Sequence, residues 1–88
     1  MKYDVHLSKR AANFLKKTDK RTKARIMEIL KRISEGDLRN ARKIIGEENL
    51  FRVRAGKYRI LFEIMKKDCV ILVINIDKRS RIYKRTKK

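Results

Sequence analysis

Two apolar runs joined by a short glycine turn, in residues 50–64, constrain the fold of this chain more than any other feature. In the first run, apolar side chains alternate with Arg52 and Arg54. Because successive side chains of a strand point to opposite faces, this alternation predicts a strand with one apolar and one cationic face. Gly56 can adopt the positive φ that a short hairpin turn needs. Since residues 58–64 are again mostly apolar, the sequence predicts a two-stranded antiparallel ribbon.

A third apolar run, residues 70–74, follows a polar turn. It is rich in β-branched residues, and neither its odd-numbered nor its even-numbered positions carry a polar side chain. This is typical of a strand covered on both faces. We therefore interpret it as the central strand of a sheet. The residues after it bring two arginines and a tyrosine to the end of this strand: Arg79, Arg81 and Tyr83.

The N-terminal half predicts one short strand and two helices. Apolar and polar side chains alternate over residues 2–7, which indicates a strand. Ser8 and Asp19 are both suitable N-caps for helices. The second helix has apolar residues at i, i+3, i+4 and i+7, and Gly36 provides a stop. Its basic side is expected either to be a solvated face or to follow a nucleic-acid backbone: Lys20, Arg21, Lys23, Arg25, Lys31 and Arg32.

These elements predict a small α+β fold, with the order β-α-α-β-β-β and an antiparallel sheet packed against two N-terminal helices. With 88 residues the chain has room for one core, so residues 1–88 are expected to form a single domain. Residues 37–48 show no sustained period and predict an irregular connection with a short strand near residues 43–45. Residues 78–88 form a basic C-terminal segment of this domain.

The charge of the chain is strongly unbalanced. Its 27 lysines and arginines against 10 aspartates and glutamates give a net charge of +17. Self-repulsion of this size lowers stability unless a polyanion neutralises it, so an anionic partner is expected, with nucleic acid as the first candidate. The alternative is a charged surface that only keeps a heat-stable protein soluble, but such surfaces are usually balanced in sign.

The sequence offers no sign of export or membrane insertion. Cys69 is the only cysteine, which excludes an internal disulfide. No apolar stretch approaches the length of a membrane span, and the N-terminus lacks the apolar segment of a signal peptide. Binding of the basic tail to an anionic membrane surface is a weak alternative, because no aromatic-rich amphipathic helix is evident. We therefore expect a cytoplasmic protein that does not bind membranes.

The residue inventory leaves arginine as the main candidate for chemistry. Ten scattered carboxylates with one histidine and one cysteine do not predict a zinc or magnesium site, so we expect neither a metal nor another cofactor. A Gly-rich phosphate loop and a Ser-His-Asp set are not evident either. Five arginines would form a phosphate pocket if the ribbon and the next strand are neighbours, or would be ordinary strand-edge residues if they are not: Arg52, Arg54, Arg59, Arg79 and Arg81.

Two segments, RVRAGKYRILFEI and VILVINIDKRSRIY, together resemble the RelE toxin family of type II toxin–antitoxin systems, within the RelE/ParE superfamily. The likeness extends over nearly the whole chain, and an archaeal origin is compatible with it. It implies a ribosome-dependent mRNA endonuclease that enters the A site and cuts codons without a metal ion. In that reaction the ribose 2′-hydroxyl attacks the adjacent phosphate, and fixed cations stabilise the charge that grows on the phosphoryl oxygens.

The resemblance also assigns roles to individual residues. Arg52 and Arg54 match the paired basic positions before the hairpin turn, and Arg59 matches the arginine of the Tyr-Arg pair. Arg79 matches a general acid or leaving-group stabiliser, and Tyr83 matches a tyrosine that stacks on a base. Other basic residues near these positions are expected to bind RNA: Lys57, Arg81, Lys84 and Arg85.

One departure from the family concerns proton transfer. The best-known relatives carry lysines at the positions of Arg52 and Arg54. A lysine can lose its proton in a cationic pocket whereas a guanidinium stays charged, so neither arginine is a comfortable general base. The base is unassigned, and Tyr83, whose phenol nearby arginines would acidify, is a hypothetical substitute.

The resemblance implies partners as well. A RelB-like antitoxin is expected to wrap the toxin, and the charge of +17 favours an acidic, amphipathic segment that screens the arginines. The ribosome and mRNA are the other expected partners. Two alternatives stay open: a ParE-like inhibitor of DNA gyrase, because ParE toxins share the architecture, and a non-catalytic basic module that binds RNA or the ribosome.

Overall fold

Within residues 2–78, the part of the chain that the computed structural model describes, five strands form one sheet and two helices cover one of its faces. The elements in chain order are β1 (Asp4–Leu7), α1 (Lys9–Lys17), α2 (Lys20–Ser34), β2 (Ala41–Lys43), β3 (Leu50–Ala55), β4 (Tyr58–Met65), a 3₁₀ turn (Lys66–Asp68) and β5 (Val70–Lys78). The predicted α+β class with two N-terminal helices is confirmed. One short strand, β2, is added to the predicted order, and it lies at 41–43 rather than near 43–45.

The strand order of the sheet is β1-β5-β4-β3-β2. β1 runs parallel to β5, and all other neighbours are antiparallel. β4 is therefore the central strand, and the prediction that residues 70–74 form it is wrong. Within residues 2–78, the expectation that this run is covered on both faces is also wrong, because both helices lie on the same face of the sheet. Ile71 and Val73 are buried beneath the helices, whereas Leu72 on the opposite face is only half-buried.

Both helices begin at the caps that the sequence predicts. The Ser8 hydroxyl accepts a hydrogen bond from Ala11 N at 3.1 Å. The Asp19 carboxylate accepts one from Thr22 N, also at 3.1 Å. These bonds satisfy amide groups that the first turn of a helix leaves without an intrahelical partner. Gly36 follows the end of α2 with a backbone φ of +92°, a conformation that favours glycine.

The hydrophobic core lies between the helices and one face of the sheet. The Phe62 ring in β4 stacks on Phe51 of β3, with ring centroids 5.7 Å apart. Phe14 of α1 meets Tyr58 of β4 edge to face at 5.0 Å, which joins the first helix to the central strand. The largest fully buried side chains are Phe62, Ile26, Ile60, Ile71 and Val73. No helix of residues 2–78 covers the opposite face of the sheet, which we call the open face.

An irregularity in β5 decides which of its side chains reach the open face. The pairing of β5 with β4 skips Ile74, which is therefore the extra residue of a β-bulge. The bulge reverses the alternation, so Ile76 is buried in the core whereas Asn75 and Asp77 lie on the open face. The Ser8 hydroxyl holds the bulge by donating a hydrogen bond to the Ile74 carbonyl at 2.6 Å. One side chain thus caps α1 and fixes the point where β5 changes its facing.

Replacing Ser8 with alanine removes both hydrogen bonds of its hydroxyl. Because one of them is a helix N-cap and the other a part-buried bond, we expect a loss of about 1–2 kcal/mol in the free energy of unfolding. Urea unfolding followed by circular dichroism measures the change. Ser8→Thr keeps a hydroxyl and is expected to unfold close to wild type. Equal stability of Ser8→Ala and wild type would contradict this account of the hydroxyl.

Candidate active site

Within the described part of the chain, four arginines from three neighbouring strands meet on the open face. In the β3–β4 pair, Arg54 lies directly opposite Arg59. Arg52 lies two residues before Arg54, hence on the same face, and is opposite Arg42 of β2. Side chains in such opposite positions have Cβ atoms about 4.5–5.5 Å apart. We call this set the arginine cluster: Arg42, Arg52, Arg54 and Arg59.

The arginine cluster lines a cavity of about 460 Å³, and Asn40 and Val53 complete the lining. The arginines differ in their exposure to solvent. Arg59 is only 8% exposed, Arg52 is half-buried and Arg54 is exposed. Like charges placed directly opposite each other destabilise a sheet. A cavity walled by such charges is therefore suited to an anion with several acceptor oxygens, such as a phosphate group.

Arg59 is held in the middle of the site by its strand. It lies in β4, opposite Arg54 on one side and opposite Asp77 of β5 on the other. The Asp77 carboxylate accepts a hydrogen bond from Lys78 N at 2.7 Å. Asp77 thus places one negative charge at the border of the arginine cluster, a feature that the sequence pattern did not single out.

Three of the predicted catalytic residues are brought together by β3 and β4, namely Arg52, Arg54 and Arg59. Their roles in catalysis stay a prediction. Lys57 lies in the turn between these strands, with its Nζ 5.6 Å from the ring centroid of Tyr58, and it does not line the cavity. The other predicted site residues lie outside the described residues: Arg79, Arg81, Tyr83, Lys84 and Arg85.

Sequence reasoning missed two residues of the cavity, Asn40 and Arg42. They belong to a segment without hydrophobic periodicity, and β2 is only three residues long. A strand this short leaves no register signal in the sequence. The one usable indication was the predicted short strand itself, since any antiparallel neighbour of β3 brings its own side chains beside Arg52.

A surface ion pair holds the loop that leads into β2. Arg39 Nε lies 3.0 Å from Asp37 Oδ1, and Arg39 Nη2 lies 3.0 Å from Asp37 Oδ2. These side-chain hydrogen bonds, together with one from the Arg39 backbone N, lower the pKa of Asp37 to about 2. The pair fixes the chain immediately before Asn40, which lines the cavity.

The Asp37 carboxyl is expected to titrate with a midpoint near pH 2. Because its pKa is depressed in the folded state, the stabilising effect of the pair is present above the ordinary value of 3.8 and is lost as the pH falls through about 2. In Arg39→Gln the pKa should return toward 3.8. Carbon NMR of the carboxyl group measures both midpoints. The same midpoint in both proteins would show that Arg39 is not the cause.

Two further properties concern the described residues as a whole. Within residues 2–78, no three side chains of His, Cys, Asp or Glu are grouped so that they could hold a metal ion. Neither α1 nor α2 is long and apolar enough to cross a membrane.

Known proteins share this arrangement of elements. The sequence model of a family described as "ParE toxin of type II toxin-antitoxin system, parDE" matches residues 5–83. The chain belongs to the RelE/ParE toxin superfamily. It is thus a toxin of a type II toxin–antitoxin system, and the family that the sequence resembles is confirmed at this level.

Individual relatives of this RelE/ParE toxin agree with that assignment. The putative toxin RelE1 of the archaeon Methanocaldococcus jannaschii is 24% identical over an alignment 88 residues long, which covers 96% of this chain and 98% of that protein. The toxin–antitoxin complex RelBE2 of Mycobacterium tuberculosis contains a chain with a TM-score of 0.76 and 26% identity, over 90% of this chain and 100% of that chain. A mutant of the E. coli toxin RelE in the free state has a TM-score of 0.81 and 22% identity, over 96% of this chain and 93% of that chain, and shares the fold.

Proposed function

We propose that this toxin is a ribosome-dependent mRNA endonuclease that cleaves in the A site without a metal ion. The observation that carries the proposal is the arginine cluster, in which side chains of β2, β3 and β4 line one cavity on the open face. Phosphoryl chemistry without a metal needs fixed cations, because negative charge grows on the phosphoryl oxygens in the transition state. The likeness to toxins named RelE adds support.

In the proposed reaction the 2′-oxygen of a ribose attacks the adjacent phosphorus. The new bond to the 2′-oxygen forms while the bond to the 5′-oxygen of the next nucleotide breaks, which leaves a 2′,3′-cyclic phosphate and a 5′-hydroxyl. Arg52, Arg54 and Arg59 donate hydrogen bonds to the non-bridging oxygens. Arg79 stabilises the negative charge on the leaving 5′-oxygen, which takes up a proton from water, and Tyr83 stacks on a neighbouring base.

Cleavage also requires a base that removes the proton from the 2′-hydroxyl. The arginine cluster does not supply it, because guanidinium groups stay charged. We propose the Tyr83 phenolate for this step. Tyr83→Phe keeps the ring for stacking and is expected to lower the single-turnover rate and to flatten its pH dependence. Tyr3→Phe serves as the control, and an unchanged rate and pH profile in Tyr83→Phe would exclude that residue from proton transfer.

The direct test of the proposed activity is primer extension on mRNA bound to translating ribosomes, with the purified protein added. New stops within A-site codons, absent from the same mRNA without ribosomes, are the expected result. A non-catalytic module that binds RNA or the ribosome would give no new stops. It would instead lose affinity gradually and additively as basic residues are removed, with a steep dependence on salt. The residues proposed to extend the RNA contact are Lys57, Arg81, Lys84 and Arg85.

The proposed partner is a RelB-like antitoxin with an acidic, amphipathic segment. A charge of +17 on 88 residues favours an acidic chain that screens the arginines. The similar Mycobacterium tuberculosis structure is itself a toxin–antitoxin complex. We expect the two proteins to co-purify and to act in the cytoplasm, where ribosomes and mRNA are present. A toxin that is equally soluble, monomeric and active without its co-expressed neighbour would count against this partner.

A second candidate function is inhibition of DNA gyrase. It is favoured by one finding, the match to a family described as the ParE toxin of parDE. A supercoiling assay with purified gyrase separates the two candidates. Inhibition of supercoiling without new stops in ribosome-bound mRNA would select gyrase as the target.

A further inference from the structure

A second cavity, of about 340 Å³, lies between α2 and the strands β2 and β3. It shares Asn40, Val53 and Arg54 with the cavity of the arginine cluster. The two cavities therefore adjoin at β3 and at the residue before β2, one on each face of the sheet. Because the edge strand β2 begins at Ala41, opposite Val53, an extended ligand bound to the arginine cluster would reach the second cavity by passing the end of β2, beside Asn40 and Arg54.

Arg25 of α2 stands at this junction. Its Nη1 atom lies 3.8 Å from the position that a Cβ atom would occupy at Gly56, in the turn between β3 and β4. Arg54 and Arg59 form the second strand pair from this turn, next to the pair Ala55 and Tyr58. The guanidinium of Arg25 thus reaches from the helix layer to the turn of the hairpin that carries Arg54 and Arg59.

The carboxylates of the second cavity are engaged by other arginines. Glu28 Oε1 lies 3.3 Å from Arg32 Nη2, one helical turn away. Asp37 is held by Arg39, as described above. Neither Arg25 nor Arg54 takes part in an ion pair within residues 2–78. These two cations therefore give the mouth of the second cavity its positive charge. Asn40, which directly precedes β2, also lines this cavity, and its carboxamide can donate a further hydrogen bond.

We propose that Arg25, Asn40 and Arg54 form a second phosphate-binding subsite, which takes the RNA phosphate next to the one that is cleaved. This inference rests on the proposed function, because it takes the arginine cluster as the place of cleavage. Arg54 lines both cavities and is able to contact both phosphates. Of the six basic residues on α2, only Arg25 and Arg32 line this cavity, and Arg32 is paired with Glu28. The remaining four are a solvated face in this arrangement.

The test compares two exposed residues of α2 that carry the same charge. Lys23 lies two residues from Arg25, about 200° around the helix axis, and lines neither cavity. The probe is a short single-stranded RNA with 2′-O-methyl groups, which cannot be cleaved by 2′-oxygen attack. Fluorescence anisotropy gives its dissociation constant for the full chain over a range of salt concentrations. Urea unfolding of each variant checks that it is folded.

Arg25→Gln is expected to reduce the slope of log affinity against log salt by about 0.7 and to weaken binding about fivefold at 0.1 M salt, the effect of one lost phosphate contact. Lys23→Gln is expected to leave the slope unchanged, although it loses the same charge. Arg54→Gln is expected to weaken binding at least as much as Arg25→Gln.

The outcomes separate this inference from the proposed function. If Arg25→Gln and Lys23→Gln reduce RNA affinity and the salt slope equally, the second subsite is overturned, even if Arg54→Gln binds RNA less tightly than both. The proposed nuclease is not affected by that result, because primer extension tests it separately. A selective effect of Arg25→Gln together with no stops in primer extension would support an RNA-backbone site and overturn the nuclease. Absence of RNA binding by the wild type would overturn the subsite, whereas primer extension would still decide the nuclease.

Discussion

Replacing Arg59 with alanine is expected to slow single-turnover cleavage of ribosome-bound mRNA by about 10²–10³-fold, with little loss of ribosome affinity. Arg59 is 8% exposed and sits in the central strand, so its position is set before the substrate arrives. A cation held in place interacts most strongly with charge that develops during the reaction, and its removal therefore affects the rate more than the binding. Rapid-quench measurement of the cleavage rate and ribosome co-sedimentation give the two quantities.

Two variants control the Arg59 experiment. Arg21→Ala removes the same type of side chain from an exposed position on α2 that lines neither cavity, and it is expected to cleave at the wild-type rate. Arg59→Lys keeps the charge but loses the planar fork of donors, so its rate is expected to fall between those of wild type and Arg59→Ala. A loss of ribosome affinity that accounts for the whole effect of Arg59→Ala would indicate a binding module instead of an enzyme.

Replacing Phe62 with alanine is expected to lower the free energy of unfolding by about 3–5 kcal/mol. Phe62 is fully buried in the central strand, and its ring stacks on Phe51, so truncation leaves a cavity in the middle of the core between the helices and the sheet. The total stability of such domains is about 5–15 kcal/mol, and the variant is therefore expected to be marginal at physiological temperature. Urea unfolding at low temperature measures the difference.

Met65 provides an exposed control for Phe62. It lies in the same strand but is 38% exposed. Met65→Ala removes about half as many side-chain atoms as Phe62→Ala, from a site that water can fill, and a change of about 1 kcal/mol or less is expected. Similar losses for the two variants would mean that the stability of the sheet does not depend on the stacked phenylalanines.

Local patterns predicted the parts of the fold and of the site that depend on neighbouring residues. The caps at Ser8 and Asp19 follow from side chains that bond to amides three residues later. The shared face of Arg52 and Arg54 follows from the period of two, and their approach to Arg59 follows from the glycine turn between the strands. Each of these features is encoded within a few positions of the sequence.

Features that depend on distant parts of the chain were not predictable in this way. The parallel pairing of β1 with β5 and the place of β4 at the centre are decided by packing of the whole sheet. Arg42 enters the arginine cluster only through the register of a three-residue strand. The facing of Asp77 depends on a bulge whose carbonyl is bonded to Ser8, 66 residues earlier in the chain. None of these leaves a local trace in composition or periodicity.

The bulge at Ile74 also gives β5 a tolerance for the loss of one residue. In a regular strand, deletion of one residue transfers every later side chain to the other side of the sheet. Deletion of residue 74 would instead join Val73 directly to Asn75 and leave the later side chains with their present facing. Single-residue deletions in the evolution of such toxins are therefore expected to concentrate at this position of the strand.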